Sequence, residues 1–233
     1  RPVFDLAVRF YDFLERKAWS NFDRVVANSE VTAGRIREKG LAEAVEVVHP
    51  GADVEENEPG EFGDYFLYPS RFRRYKRQDL ALEAFKRADL DDFRLILAGS
   101  NQEPDYVEEL REKSGGDVRI ETDVSDERWH ELFENAYSVL FLAENEDWGI
   151  IPIEAASYGK PVIAVDEGGP QESVVDGETG FLVEPESERI AEKMEELANS
   201  SEKVEKMGEK AVEESKKYSW ENFKQKLDAV IGE

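Results

Sequence analysis

A parallel β-sheet covered by helices on both faces is the architecture this sequence predicts, and three observations carry that expectation. Six short runs rich in β-branched and aromatic residues recur between residues 65 and 184. Segments of helical periodicity separate most of them, and the runs are apolar nearly throughout instead of alternating with polar residues. Parallel strands need a crossover between them, and strands covered on both faces read as continuous apolar stretches.

The runs are YFLYP (65–69), RLILAG (94–99), VRIET (118–122), SVLFLAE (138–144), PVIAVD (161–166) and GFLVE (180–184). Between them KRQDLALEAFKRA (76–88), PDYVEELREK (104–113), SDERWHELFENA (125–136) and IIPIEAASYG (150–159) predict helices. This is a Rossmann-like, doubly wound α/β domain over residues 65–185. Upstream, residues 3–19 carry Phe4, Ala7, Phe10, Tyr11, Leu14 and Ala18 near helical spacing. They predict a helix that packs against its own domain; the neighbouring Arg9, Arg16 and Lys17 make an interfacial anchor the alternative. RVVANS (24–29) and VEVVHPG (45–51) read as two further strands, and the stretch from Asp53 to Asp64, with Gly and Pro among acids, as a linker. The organisation expected is thus a first segment over 1–45, a linker over 46–64, the sheet domain, and charged helices from 186 to 233 packing on it.

Composition excludes several classes of function. The chain of 233 residues has 30 Lys+Arg against 54 Asp+Glu, a formal net charge of -24, which would repel duplex DNA or an anionic membrane surface. Any anionic ligand must be held by a local exception. The absence of cysteine excludes disulfides and thiolate chemistry. No apolar run approaches the roughly 20 residues needed to span a bilayer, and no signal-peptide pattern opens the chain, so the expected location is the cytoplasm, with peripheral contact at the inner membrane face left open. The acid excess, 37 Glu and 17 Asp, fits a surface adapted to high salt or ordinary solvated helix faces.

In a sheet of this kind ligands bind beyond the carboxyl ends of the strands, where helix N-termini offer free amides. Two stretches exploit that place. In SRFRRYKRQDL (70–80), directly after YFLYP, five of the seven residues from Arg71 to Arg77 are basic, a contrast with the rest of the chain that suits a diphosphate. In ENEDWGIIPIEA (144–155), Gly149 permits close backbone approach, Ile150 and Ile151 offer N-H groups to an oxygen anion, and Pro152 suits an early helical position. Glu146 and Glu154, with seven residues between them, flank those amides; both carboxylates could face one crevice and accept hydrogen bonds from sugar and ribose hydroxyls. Asp89-Leu90-Asp91 mimics a metal-binding Asp-x-Asp but falls between a helix and a strand start, where a turn is expected. His49 and His130 have no partner at ligand spacing, so no metal is expected.

The run from Tyr65 to Pro185 resembles the donor-binding half of the retaining glycosyltransferases of the GT-B fold, family four, the mannosyl- and glucosyltransferase group. Arg71 stands five residues before Lys76, Glu146 and Glu154 frame EDWGIIPIE, and SYGKPVIAVDEGGPQESVVDGETGFLV follows. ANS (27–29), HPGAD (49–53) and YSW (218–220) extend the resemblance outward. It implies that Arg71 and Lys76 grip a donor diphosphate, that Glu146 holds sugar hydroxyls as the third catalytic residue, and that Glu154 holds the ribose. Gly149, Ile150, Ile151 and Glu172 complete the implied donor site. It also implies transfer with retention, no metal, GDP-mannose as donor with UDP-linked sugars as the alternative, and a glycan or lipid-linked acceptor held by an N-terminal domain of which residues 1–45 are the tail. Arg1 in place of Met fits a fragment or processed chain. Trp148 replaces the usual Phe, and Thr122 and Ser100-Asn101 depart from glycine-rich turns bordering the base pocket, which leaves the nucleotide open. The alternatives are a non-catalytic nucleotide-sugar-binding module, one subunit of a split enzyme, and, third, a nucleotide-sugar epimerase.

The acid coat generates a direct test. If it is a salt adaptation, screening relieves self-repulsion and the melting temperature should climb by many degrees between dilute buffer and molar KCl. A flat curve would mark the acids as ordinary solvated helix faces.

Overall fold

The computed structural model describes residues 2–55 and 57–232, with side chains from Phe4 onward; Arg1, Glu233 and Glu56, which lies in the predicted linker, are outside the described residues. In chain order the elements are α1 (Pro2–Trp19), β1 (Val26–Ala27), α2 (Glu30–Glu38), β2 (Glu46–Val47), β3 (Tyr65–Pro69), α3 (Gln78–Arg87), β4 (Arg94–Gly99), α4 (Pro104–Lys113), β5 (Val118–Thr122), α5 (Asp126–Glu134), β6 (Ser138–Phe141), α6 (Ile151–Ser157), β7 (Val162–Val165), α7 (Pro170–Ser173), β8 (Gly180–Val183), α8 (Ser187–Ala198), α9 (Ser201–Ser215) and α10 (Trp220–Ile231). Two 3-10 turns, Arg74–Lys76 and Lys216–Tyr218, interrupt them. The six predicted strands between 65 and 184 and the four helices among them are all present. Helix starts follow local chemistry: the hydroxyls of Ser29 and Ser125 accept from Thr32 N-H and Arg128 N-H, and Pro104 stands in the first turn of α4.

The chain divides into two compact units. One comprises residues 52–219 and holds the whole six-stranded parallel sheet, in the order β5-β4-β3-β6-β7-β8. Side chains alternate between its faces. Phe66, Tyr68, Leu95, Leu97, Leu140, Ile163 and Val165 pack on one face with Leu82 and Phe85 of α3, Val107 and Leu110 of α4, Met194 and Leu197 of α8, and Met207 of α9. Leu67, Ile96, Val139, Phe141, Val162 and Ala164 pack on the other with Leu132 and Phe133 of α5 and Ala155 of α6. Cover on both faces is the physical reason that β3, β6 and β7 read as continuous apolar runs.

The other unit comprises residues 1–51 and 220–233. Its β1 and β2 pair in parallel around α2, and its core is small, built on Ala27, Ala33 and Val45. α10 falls in this unit, whereas the expectation was that all the closing helices pack on the sheet domain. α1 also departs from expectation. Phe4, Leu6, Phe10, Tyr11 and Phe13 are each more than half exposed, so the helix does not bury its apolar face against its own domain. Its apolar residues occupy most of its circumference, and a unit with two two-residue strands has no core large enough to receive them.

The segment leading to β3 is irregular but tied down. Asn57 Nδ2 donates to Ser157 Oγ (2.8 Å), and Gly63 N-H to the Asn135 carbonyl (3.1 Å). The fully buried Lys160 donates to the carbonyls of Gly60 (3.1 Å) and Glu61 (2.7 Å), with its ammonium 4.5 Å from the centre of the Phe62 ring. Burial pushes the Lys160 ammonium down from 10.5 to about 8. Between those values the unfolded chain holds a proton that the folded chain releases, so this residue's contribution to stability rises with pH across that window. Lys160→Met, which orphans two carbonyls, should cost about 1–3 kcal/mol. Urea unfolding of both proteins from pH 8 upward should show the gap between wild type and variant widening; a constant gap would contradict the assignment.

Candidate functional site

Strand order reverses between β3 and β6: from β3 the chain builds outward through β4 and β5, then returns to lay β6 against the other side of β3. The loops that leave these two neighbouring strands diverge, and a crevice opens between them. The basic run follows β3 and the acidic Gly-containing loop follows β6, so the fold brings the two sequence-predicted stretches face to face.

The loop after β3 is fixed from beneath. Tyr68, fully buried in β3, donates its phenol to the Lys76 carbonyl and accepts from the N-H of Leu142 (3.3 Å), the residue after β6. Burial raises that phenol far above its ordinary range, so it stays protonated. Gln78, also fully buried, donates to the Arg71 carbonyl (2.8 Å). The loop ends are pinned and its cations project from a set backbone. Lys76, 5% exposed, forms an ion pair with Glu146 across the crevice, with its ammonium 5.2 Å from the centre of the Tyr75 ring. Arg71 is exposed, and its guanidinium hydrogen-bonds the Tyr75 hydroxyl at 3.3 Å. Tyr75 also accepts Glu144 N-H through its carbonyl (2.8 Å), which joins the two loops directly.

On the β6 side the chain needs glycine. Gly149 has φ 77°, and a Cβ there would press on the Phe141 ring at 2.9 Å and on Glu146 Cγ at 3.4 Å. Gly168, at φ 66°, lies against the Glu146 carbonyl, which also accepts Gly169 N-H (2.8 Å). The loop after β7 therefore buttresses Glu146. Hydrogen bonding of α6 starts with Ile153 and Glu154 N-H donating to the Ile150 carbonyl, which puts Ile150 and Ile151 at the helix start, Ile150 being 38% exposed. Glu172 lies in α7, half-buried, and its carbonyl accepts the Tyr218 hydroxyl (2.9 Å), while the Tyr218 ring packs 5.3 Å from that of Trp148.

Glu154 is placed apart from the Lys76–Glu146 pair, and no hydrogen bond or ion pair among the described residues links it to either. It lines a cavity of about 60 Å³ with Asp53, Asn57, His130, Ser157 and Tyr158. Its Oε2 is buried without a hydrogen-bond partner. Burial, and then the charge of Asp53, push its carboxyl up to about 7. A buried carboxyl oxygen left without a partner inside the protein, in a group with a raised pKa, marks a candidate binding position. His130 hydrogen-bonds Tyr158, and Asp91 falls in the turn before β4. Among the described residues no cluster of His, Asp or Glu could hold a metal ion. Sequence reasoning missed Tyr68, Gln78, Tyr75 and Asp53 as supports of the site. The first two carry no sequence signal beyond a strand and a helix start, because their roles depend on what lies beneath the loop.

Residues 52–214 match the family model described as glycosyl transferases group 1. The chain is 30% identical over 189 residues to the alpha-1,3/1,6-mannosyltransferase ALG2 of Dictyostelium discoideum, covering 72% of this chain and 45% of that protein. It is 31% identical over 215 residues to the protein of that name from Mus musculus, covering 79% and 52%. The D-inositol 3-phosphate glycosyltransferase of Nocardia farcinica is 28% identical over 232 residues, covering 88% and 51%. The chain thus spans about half the length of the curated relatives it matches. In fold it is similar to Anabaena HepE in complex with UDP and glucose (TM-score 0.82, 21% identity, 90% of this chain and 63% of that one). Sucrose-phosphate synthase of Thermosynechococcus elongatus is similar at TM-score 0.83 and 21% identity, over 95% and 60% of the two chains.

The environment of Glu154 sets a pH test. Its folded pKa near 7 exceeds the ordinary 4.5, so between those values the folded chain holds a proton that the unfolded chain has lost. Stability from this group is full below the unfolded value and is lost as pH rises through the folded one. Glu154→Gln should therefore melt higher than wild type above pH 7, by an amount on the order of a few kcal/mol in stability, and converge with it near pH 4. Parallel melting curves across that range would contradict the burial argument.

Proposed function

The chain belongs to the group 1 glycosyl transferases, with the fold of the C-terminal region of GT-B enzymes, and from that premise we propose that it binds a nucleotide-sugar donor for retaining glycosyl transfer. One observation carries the reading: the buried ammonium of Lys76 and the carboxylate of Glu146 meet at the mouth of the crevice between β3 and β6, with the exposed guanidinium of Arg71 on the same loop. In this reading the diphosphate takes the ammonium as its counter-ion and Arg71 closes on it. Glu146, released from Lys76, accepts hydroxyls of the sugar, and the open oxygen of Glu154 accepts those of the ribose. Amides at Gly149, Ile150 and Ile151 and the Glu172 segment line the approach.

The chemistry follows from charge. As the bond from the anomeric carbon to the diphosphate breaks, negative charge builds on the leaving oxygens and positive charge on the sugar. Arg71 and Lys76 stabilise the first, and Glu146 lies near the second. The acceptor hydroxyl enters on the face the diphosphate leaves, and its positioning is assigned to protein beyond this sheet domain. Mannose is the proposed sugar, since relatives near 30% identity carry mannosyltransferase names, and GDP is its proposed carrier on the motif resemblance. The family match leaves the epimerase alternative without support.

Calorimetry against GDP-, UDP- and ADP-sugars tests the reading directly. Arg71→Ala and Lys76→Ala should each weaken the preferred donor roughly ten- to a hundredfold, the loss of one charge-assisted contact. Glu146→Gln should weaken the sugar nucleotide while sparing the free nucleoside diphosphate. Unchanged affinity in both cation variants would sink the phosphate assignment.

A further inference from the structure

The residue after Lys76 adopts a backbone conformation that its side chain makes costly. Arg77 has φ 56° and ψ 42°, the left-handed region in which a Cβ is strained and glycine is not. It ends the 3-10 turn with its N-H on the Arg74 carbonyl (3.0 Å), and its own carbonyl accepts Leu80 N-H (3.1 Å) as α3 begins. The turn needs the conformation; it does not need a guanidinium. Strain of this kind persists only where the surrounding structure over-determines it, and it clusters at functional sites.

That side chain is 21% exposed and reaches two loops. It hydrogen-bonds Glu167 Oε2 at 3.0 Å, on the loop after β7, and lies 3.8 Å from Glu144 Oε1, on the loop after β6. Glu146, two residues on from Glu144, is held by Lys76. Consecutive cations thus hold three carboxylates, Glu144, Glu146 and Glu167, around one crevice. Without Arg77, two of those carboxylates would stand uncompensated beside the place where a diphosphate must enter, in a chain whose net charge is already -24.

We propose that Arg77 is a positioning residue for the diphosphate end of the donor. It neutralises Glu144 and Glu167 and ties their loops to the start of α3, so that the crevice accepts an anion. This rests on reading the crevice as a nucleotide-sugar site. Arg77 itself need not touch the ligand.

The test compares wild type with Arg77→Gly, which removes the guanidinium and relieves the strained φ, with Arg77→Asn, which tolerates the left-handed conformation, and with Arg77→Lys. Each is titrated calorimetrically with GDP and UDP and with guanosine and uridine, in dilute buffer and in about 0.5 M KCl, where exposed charges are largely screened. The Gly and Asn variants should bind the better nucleoside diphosphate about five- to tenfold more weakly in dilute buffer, with the deficit shrinking in salt, the behaviour of an uncompensated charge. The nucleoside should bind as before, Arg77→Gly should melt no lower than wild type, and Arg77→Lys should recover most of the loss. Equal diphosphate affinity in wild type and both neutral variants would overturn the role of Arg77 and leave the nucleotide-sugar reading standing. An equal loss for nucleoside and diphosphate, independent of salt, would also overturn it, as the mark of general loosening. Failure of the wild type to bind either diphosphate would overturn both readings together.

Discussion

The contact between β3 and β6 is the constraint from which the rest of the site follows. These strands are adjacent in the sheet but 72 residues apart in the Phe66–Ser138 and Leu67–Val139 register, by way of three crossovers through α3, α4 and α5. Parallel neighbours leave the sheet at the same end, and because their onward connections run in opposite directions, nothing fills the space between them. A basic loop and an acidic loop therefore confront each other across a gap with amides at its edge. The Lys76–Glu146 pair is the chemical consequence of that topology.

Holding opposite charges across a crevice is useful only if the loops cannot collapse or drift. The supports come from beneath and from the side. Tyr68 pins the Lys76 carbonyl from within β3, Gln78 pins that of Arg71 from the first turn of α3, and Gly168 lets the loop after β7 lie directly on Glu146. A buried ion pair is a weak source of stability, since desolvation offsets much of the attraction. Its value here is that it stores two oppositely charged groups in a low-dielectric place, each available to a ligand that offers a better partner. Glu154 is held differently: its Oε2 is buried without a hydrogen-bond partner, and burial, then the charge of Asp53, raise its pKa.

The small unit of residues 1–51 and 220–233 stands in contrast. Its strands are two residues long, its core rests on three small or medium side chains, and α1 carries several aromatic residues in the open. Helical periodicity in α1 was legible in the sequence, but whether its apolar face is covered was not. That outcome depends on how much apolar surface the neighbouring elements can offer, a property of the assembled unit and not of the helix. The same limit applied to α10, whose charged, amphipathic pattern gave a helix without saying which core it joins.

Sequence alone determined the sheet and its helices, because burial on both faces writes continuous apolar runs into β3, β6 and β7 and because capping residues such as Ser125 act over three or four positions. It also determined which residues could carry the chemistry: a cluster of cations in a chain this acidic, and two glutamates spaced around a glycine, are local facts of composition. What only the tertiary structure decided is which partner each of them has. Lys76 finds Glu146 rather than one of the many other carboxylates, Glu154 is left against Asp53 with an empty oxygen, and Arg77 takes a left-handed turn to span two loops. Those pairings link residues 67 to 101 positions apart, and strand order, which no local pattern encodes, sets them.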